Sequence, residues 1–383
     1  MEEFGIDRLR RIGSLKWSVF PDAIGAFVAE MDFGVAPVIA DAMKAAIDDG
    51  LTGYLPAGVA QAMSEAAARW QSERHGWEVP AERIRPVPDV LTALRTTIDF
   101  FTEPGARIIL PTPAYMPFLT IPALHDREII EVPMLQEDGR YVLDLDGIDR
   151  AFRDGGGLLI LCNPYNPVGR VFERAELEAV AEIVARHGGR VFSDEIHAPL
   201  VFAPHRHVPY ASLDAVTAGH TITATSASKA WNLPGLKAAQ VILSNEADAE
   251  VWIRPEVAWA EHGTANFGVI AATAAYDAGR PWLDDTLAYL DGNRRTLADL
   301  LAEHIPGMGY RPPEGTYIAW LDARRLGIEG SPADFFRERA GVALTDGIAC
   351  GAAGKGFLRF ILATPRPILE QAVRQMAAAL DAR

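Results

Sequence analysis

Between Arg107 and Leu243 the sequence alternates short β-type runs with helix-patterned stretches, and few architectures accept that order. Arg107 to Leu110, Leu158 to Cys162, Arg190 to Ser193, Thr221 to Thr225 and Gln240 to Leu243 are such runs. Between two of them Leu177, Val180 and Val184 recur at helical spacing, until Gly188-Gly189 ends the pattern. Strand and helix in alternation predict a mostly parallel sheet covered by helices on both faces. In open sheets of that kind, ligands bind beyond the carboxyl ends of the strands.

The flanks have a different texture. Residues 14 to 34 carry Trp17, Phe20 and Phe27, too aromatic for a tail, and are expected to lie across another part of the protein. A helix is predicted from Pro37 to Asp49, stopped by Gly50, and another over 60 to 75. Gly53-Tyr54-Leu55-Pro56 reads as a loop, and Pro86-Val87-Pro88-Asp89-Val90-Leu91 leads into a further helix whose start can present N–H groups to an anion. Gly155-Gly156-Gly157 reads as a turn. Beyond residue 280 come a helix over Asp284 to Glu303, strands around Thr316 to Leu321 and Phe357 to Leu362, and a last helix from Ile368. The expected domains are an N-terminal segment with part of a small domain (1–45), a large domain (46–280) and a smaller α+β C-terminal domain (281–383).

Charge limits the partners. With 36 Lys and Arg against 51 Asp and Glu, the net charge is -15, which disfavours nucleic acid and anionic membranes. A small anionic ligand therefore requires a local basic site. Two cysteines are too few for a disulfide framework or a thiolate metal cluster and suit a reducing compartment. Met1 to Gly13 lacks the apolar core of a signal peptide, and no run approaches the roughly 20 apolar residues of a membrane span, so a cytoplasmic protein is expected. His205-Arg206-His207 lacks an evident third ligand, so no metal is expected. Gly351-Ala352-Ala353-Gly354-Lys355-Gly356 lacks the spacing and the Ser or Thr of a phosphate-binding P-loop.

Four chemically informative segments begin where predicted strands end. They are Pro111-Thr112-Pro113-Ala114-Tyr115, Asn163 to Arg170, Asp194-Glu195-Ile196-His197, and the loop Ser226-Ala227-Ser228-Lys229 with Lys237 further on. An aromatic face, an amide, a carboxylate and an amine thus converge on one sheet edge. Pyridoxal phosphate requires that set: an amine for its aldehyde, a carboxylate for its ring nitrogen, a donor for its phenolate, a stacking surface, and hydroxyls plus a cation for its phosphate. Lys229, Asp194, Asn166, Tyr115, and Ser226 with Lys237 fill these roles. Arg359 lies between Phe357 and Ile361 on one strand face, where an unpaired charge is costly and a carboxylate partner is expected.

From about residue 14 to its end the chain resembles fold-type-I, aspartate-aminotransferase-like enzymes of the aminotransferase class I/II superfamily. Within it, Glu30-Met31-Asp32-Phe33, Arg74-His75-Gly76-Trp77, Cys162-Asn163-Pro164-Tyr165-Asn166-Pro167-Val168-Gly169-Arg170, Ser193-Asp194-Glu195-Ile196-His197 and Glu314-Gly315-Thr316-Tyr317 resemble the cystathionine β-lyase-like carbon–sulfur lyases. The resemblance implies Lys229 as Schiff-base lysine and acid/base, with Asp194 and Tyr115 as its catalytic companions. It implies Asn166 and His197 beside the cofactor, and Ser226, Lys237 and the N–H groups of Val90 and Leu91 on the phosphate. Tyr54 would reach the phosphate of the other subunit of a homodimer, and Arg359 the substrate α-carboxylate.

The implied reaction is cleavage of cystathionine or a related cysteine S-conjugate to thiol, pyruvate and ammonia. An aminotransferase uses the same parts, and a partner-binding regulator can keep the same fold. His197 stands where aminotransferases usually carry tyrosine, as in the lyase branch. Lys237 stands where Arg is frequent, while Glu30, Trp231 and Cys350 depart from the lyase pattern and leave the substrate side chain open.

Overall fold

The computed structural model describes residues 2–383. Seven strands form the main sheet: β1 (Ile84–Val87), β2 (Arg107–Thr112), β3 (Ile129–Pro133), β4 (Gly156–Cys162), β5 (Arg190–Asp194), β6 (Thr221–Thr225) and β7 (Ala239–Leu243). Their spatial order is β1-β7-β6-β5-β4-β2-β3. All pairings are parallel except those of β7, which runs antiparallel to both neighbours. The four strands that carry the informative segments, β2, β4, β5 and β6, are therefore consecutive neighbours. Register places Cys162 beside Asp194 and Asp194 beside Ala224. Strands β5, β6 and β7 are buried almost throughout, as a sheet packed on both faces requires.

A second sheet contains β8 (Gly309–Tyr310), β9 (Ile318–Asp322), β10 (Thr345–Asp346) and β11 (Phe357–Ile361) in the order β8-β9-β11-β10, all antiparallel. Helices Arg280–His304 and Arg366–Asp381 pack against each other beside it. Helix Asn266–Ala278 packs on Pro37–Asp48 and Ala57–His75. No helix among the described residues is long and apolar enough to cross a membrane.

The segment from Pro86 to Leu91 leads into helix Val90–Phe100 as expected, but Ile84–Val87 before it is an unforeseen strand, tolerated with Pro86 because β1 is an edge strand with one open side. One sequence expectation is corrected. The glycine run is a turn only at Gly155, whose φ is 91°. Gly156 and Gly157 begin β4, where a Cβ on Gly156 would stand 2.5 Å from the Ile109 side chain.

The aromatic N-terminal segment forms a strap. Ile24–Gly25 pairs in parallel with Val342–Ala343, Ile361 N–H donates to the Ala26 carbonyl at 2.9 Å, and Asp32 N–H donates to the Ala363 carbonyl at 2.9 Å. Asp32 accepts from Lys16 Nζ and Trp17 Nε1, each at 2.7 Å, in a buried ion pair. Glu30 has no ion pair among the described residues. Asn232, in the left-handed region with φ 59°, bonds both the N–H and the carbonyl of Met31 at 2.9 Å and ties the strap to the lysine loop.

Two of the sequence strings serve the frame. Buried Arg170, closing the Asn-Pro string, pairs with Glu176 at 2.6 Å and with Glu314 at 2.9 Å. Glu314 also accepts from Arg140 Nε at 2.9 Å, which joins the seven-stranded body to the loop entering β9. Glu195 is likewise saturated, accepting from Ser193 at 2.9 Å and Tyr210 N–H at 3.0 Å, with His207 Nε2 2.9 Å away. His207 is thus engaged, and no His, Cys, Asp and Glu cluster able to hold a metal exists among the described residues.

Candidate active site

The carboxyl ends of β2, β4, β5 and β6 border a cavity of about 630 Å³. Its lining includes Lys229, Asp194, Tyr115, Asn166, His197, Ser226, Lys237, Val90, Leu91 and Arg359, all the predicted site residues but one. The exception, Tyr54, is 95 % exposed and borders a wider depression of about 870 Å³ elsewhere on the surface. That depression is larger, but its one arginine, Arg85, is neutralised by Glu261 in a bidentate pair at 2.7 and 3.1 Å. Chemistry, not volume, marks the smaller cavity.

Lys229 stands just past β6, and its Nζ donates to the Ala29 carbonyl at 3.0 Å. Burial, then the nearby Arg359 cation, depresses its pKa to about 8, against the pull of Glu30 and Asp194. An amine so tuned is a competent base near neutral pH. Asp194, at the last position of β5, accepts from Ile196 N–H at 3.1 Å. Burial, aided by the Glu195 charge, pushes its carboxyl up to about 7, because the Ile196 N–H, Lys229 and the Cys162 thiol 3.9 Å away compensate it only in part. A protonated ring nitrogen against it would supply the missing counter-charge.

Arg359 is 3 % exposed and meets no carboxylate. It donates to the Phe27 carbonyl at 2.8 Å and to Asn166 Oδ1 at 3.4 Å, while its Nε has no partner. Burial lowers its pKa, so this guanidinium is a buried cation awaiting an anion. Its effect on Lys229 is testable. In cofactor-free Arg359→Ala protein, the pH midpoint for chemical labelling of the Lys229 amine should rise above about 8. An unchanged midpoint would refute the coupling.

His197 is buried, and its ring meets Tyr317 edge-on at 6.0 Å and 77°. Burial, reinforced by Lys229 and Arg359, lowers its pKa to about 3, so the imidazole is neutral in the working range. Tyr115 presents its ring to the cavity, with Phe118 at 5.5 Å behind it. Its phenol is raised by burial.

The anion-binding end is built by helix Val90–Phe100, whose first N–H groups, from Val90 and Leu91, have no intrahelical acceptor. Asp89 caps this helix by accepting from Thr92 N–H at 2.8 Å and also accepts from Lys237 Nζ at 3.0 Å. Burial opposes its ionisation, but these hydrogen bonds outweigh burial and hold its pKa below the usual value. Lys237 reaches this end from the left-handed region, at φ 52°. Ser226 Oγ donates to the Ala238 carbonyl at 2.7 Å and accepts from Ser228 N–H at 3.0 Å, so its hydroxyl first shapes the loop.

These residues fit pyridoxal phosphate. The buried and only partly compensated Asp194 suits a cationic ring nitrogen, the amine at the strand end suits the aldehyde, and the helix start with Lys237 suits the phosphate. Sequence reasoning left Asp89 without a role, although Asp before a helical run is an N-cap signal. It also missed Ala29 and Tyr317 at the lysine, for which a backbone carbonyl leaves no sequence mark.

Residues 25–376 match the family described as aminotransferase class I and II. The chain is 36% identical over 381 residues to the cystathionine beta-lyase of Corynebacterium glutamicum, covering 98% of this chain and 99% of that one. It is 33% identical over 384 residues to the cystathionine beta-lyase PatB of Bacillus subtilis (strain 168), covering 98% and 99%. Cystalysin from Treponema denticola, solved with pyridoxal 5′-phosphate, superposes with a TM-score of 0.91 at 28% identity, covering 97% of this chain and 96% of that one. With its sheet, its strand-end lysine and its buried aspartate, this chain belongs to the aminotransferase class I and II family of pyridoxal-phosphate-dependent enzymes.

Proposed function

We propose that the protein is a pyridoxal-phosphate-dependent carbon–sulfur β-lyase that converts cysteine S-conjugates such as cystathionine to a thiol, pyruvate and ammonia. The observation that carries this reading is the placement of a tuned amine, Lys229, in one cavity with a buried carboxylate and a guanidinium that meets no carboxylate. The lyase names of the relatives support the reaction type.

Bound pyridoxal phosphate supplies an electron sink for charge developing at the substrate Cα. Asp194 holds the charge of the ring nitrogen. Arg359, through its open Nε and its outer nitrogens, takes the substrate α-carboxylate and so orients the Cα–H bond. Lys229 removes the Cα proton and is then an ammonium beside the breaking Cβ–S bond, where it can return the proton to the departing thiolate. Water completes the conversion of the remaining three-carbon fragment to pyruvate and ammonia.

The rest of the wall indicates the side chain accepted. Val19, Phe20, Phe27, Met116 and Leu344 are apolar, and the Thr345 hydroxyl is committed to the Phe27 carbonyl at 3.1 Å. The remaining lysine, Lys237, is paired with Asp89. Neither offers a second cation for a dicarboxylate, which favours neutral thioethers over aspartate or glutamate. A substrate panel tests this: neutral cysteine thioethers should be consumed, and aspartate with 2-oxoglutarate should not. Preferential turnover of aspartate would replace the lyase with an aminotransferase built from the same residues.

The division into an N-terminal segment (1–45), a cofactor domain (46–280) and a C-terminal domain (281–383) is proposed with it. So is a homodimer in which Tyr54 reaches the phosphate of the partner's site. Tyr54, Trp259 and Ile253 are large exposed side chains on the described surface, and the first two border the 870 Å³ depression. Tyr54→Phe and Lys229→Ala subunits should each be weak alone. Mixed and reassociated, they should recover about a quarter of wild-type activity, because half the dimers then hold one intact site. An active monomer, or mixing without recovery, would sink the shared site.

A further inference from the structure

One backbone oxygen gathers two donors beside the reacting nitrogen. The Ala29 carbonyl accepts the Lys229 amine at 3.0 Å and the Tyr317 hydroxyl at 3.0 Å, as its two lone pairs allow. Tyr317 is 1 % exposed. Thr316, in the left-handed region at φ 69°, precedes it, Leu362 N–H donates to its carbonyl at 3.0 Å, and Thr316 N–H donates to the Leu200 carbonyl at 2.7 Å. The phenol is thus fixed by its own backbone. The strap that carries Ala29 hydrogen-bonds at Ala26 and Asp32 to Ile361 and Ala363, while Lys229 follows β6 of the other sheet.

We propose that Tyr317 is a positioning residue for Lys229: its hydroxyl holds the Ala29 carbonyl where that oxygen catches the lysine amine whenever the amine is free. The proposal rests on the reading of Lys229 as the reacting amine. A lysine side chain has four flexible carbons, and a buried ammonium without an acceptor is costly, so a fixed oxygen both stabilises the charge and limits where the nitrogen goes. The Glu30 carboxylate works in the same direction, favouring the protonated forms of both Lys229 and Tyr317. Tyr317 directly precedes β9 and the strap bonds to Ile361 and Ala363, while Asn232 ties the same strap to the lysine loop, so the acceptor is held from both sides of the lysine.

The test compares Tyr317→Phe with Tyr310→Phe, which removes a phenol of the four-stranded sheet whose hydroxyl donates to the Arg294 carbonyl at 3.2 Å, away from the cavity. Full-length protein stripped of cofactor is labelled with trinitrobenzenesulfonate across a pH series, and modification at Lys229 is followed by peptide mass analysis. The reconstituted enzyme then gives kcat and KM. In Tyr317→Phe, loss of the fixed acceptor should lower the labelling midpoint from about 8. Labelling at neutral pH should speed up, and kcat should fall, each about threefold to tenfold, with KM unchanged. Tyr310→Phe should match wild type in every reading. A wild-type labelling curve in Tyr317→Phe, or equal changes in both variants, would overturn the proposal. Labelling needs neither cofactor nor substrate, so an error in the assigned reaction would not alter its outcome.

Discussion

Lys229→Ala is expected to abolish the visible absorption that the cofactor owes to its link with the protein and to lower turnover by about a thousandfold or more. In the proposed reaction one amine performs several tasks: it binds the cofactor covalently, takes the Cα proton and returns it to the thiolate. Its neighbours cannot take over. The Lys237 amine is held 3.0 Å from Asp89 at the start of helix Val90–Phe100, Arg359 is a guanidinium, and His197 is neutral and packed against Tyr317. The variant should remain folded, because alanine removes only one hydrogen bond, to the Ala29 carbonyl. The checks are absorbance of the reconstituted protein and borohydride reduction followed by peptide mapping. Label on another lysine with activity retained would refute the assignment.

Asp194→Asn should separate function from stability. Asparagine keeps an oxygen for the Ile196 N–H, so the loop survives, but it cannot hold a protonated ring nitrogen. Turnover should fall about a hundredfold or more, and cofactor should be lost more readily on dialysis. In the cofactor-free protein the effect on folding has the opposite sign. The folded carboxyl titrates near 7 and the unfolded one near 3.8, so between these values the unfolded chain binds fewer protons and wild-type stability falls as pH rises. Asparagine does not titrate. At pH 8 the cofactor-free variant should therefore be the more stable protein, by on the order of a few kcal/mol, with the difference vanishing near pH 4. Denaturation curves at the two pH values check this, and a variant that is less stable at pH 8 would contradict it.

The main features of the site were legible because strand ends are legible. Asp194 and Lys229 each follow a β-type run, and the convergence of four such runs depends only on those strands being neighbours, as they are. Arg359 was legible because a charge between Phe357 and Ile361 on a buried strand face requires an explanation. Features that depend on distant backbone were not legible. Ala29 meets Lys229 across 200 positions and Tyr317 across 288, through an oxygen that every residue possesses. The Lys237–Asp89 pair spans 148 positions and involves a capping residue whose local role gives no hint of a distant partner. Strand β1 was hidden by Pro86 within it and Pro88 just after it, and Gly156 and Gly157 looked like turn residues although close packing against Ile109 and Ala106 explains them.

The central claim is that this cavity expels a thiolate from Cβ instead of exchanging an amino group. The most direct measurement follows thiol and pyruvate together from one neutral cysteine thioether, with cofactor-loaded enzyme and no keto acid present. A β-lyase releases both products in equal amounts through many turnovers at constant rate, because Lys229 returns to its starting state each cycle. A single turnover without thiol, followed by arrest that an added keto acid relieves, would contradict the account.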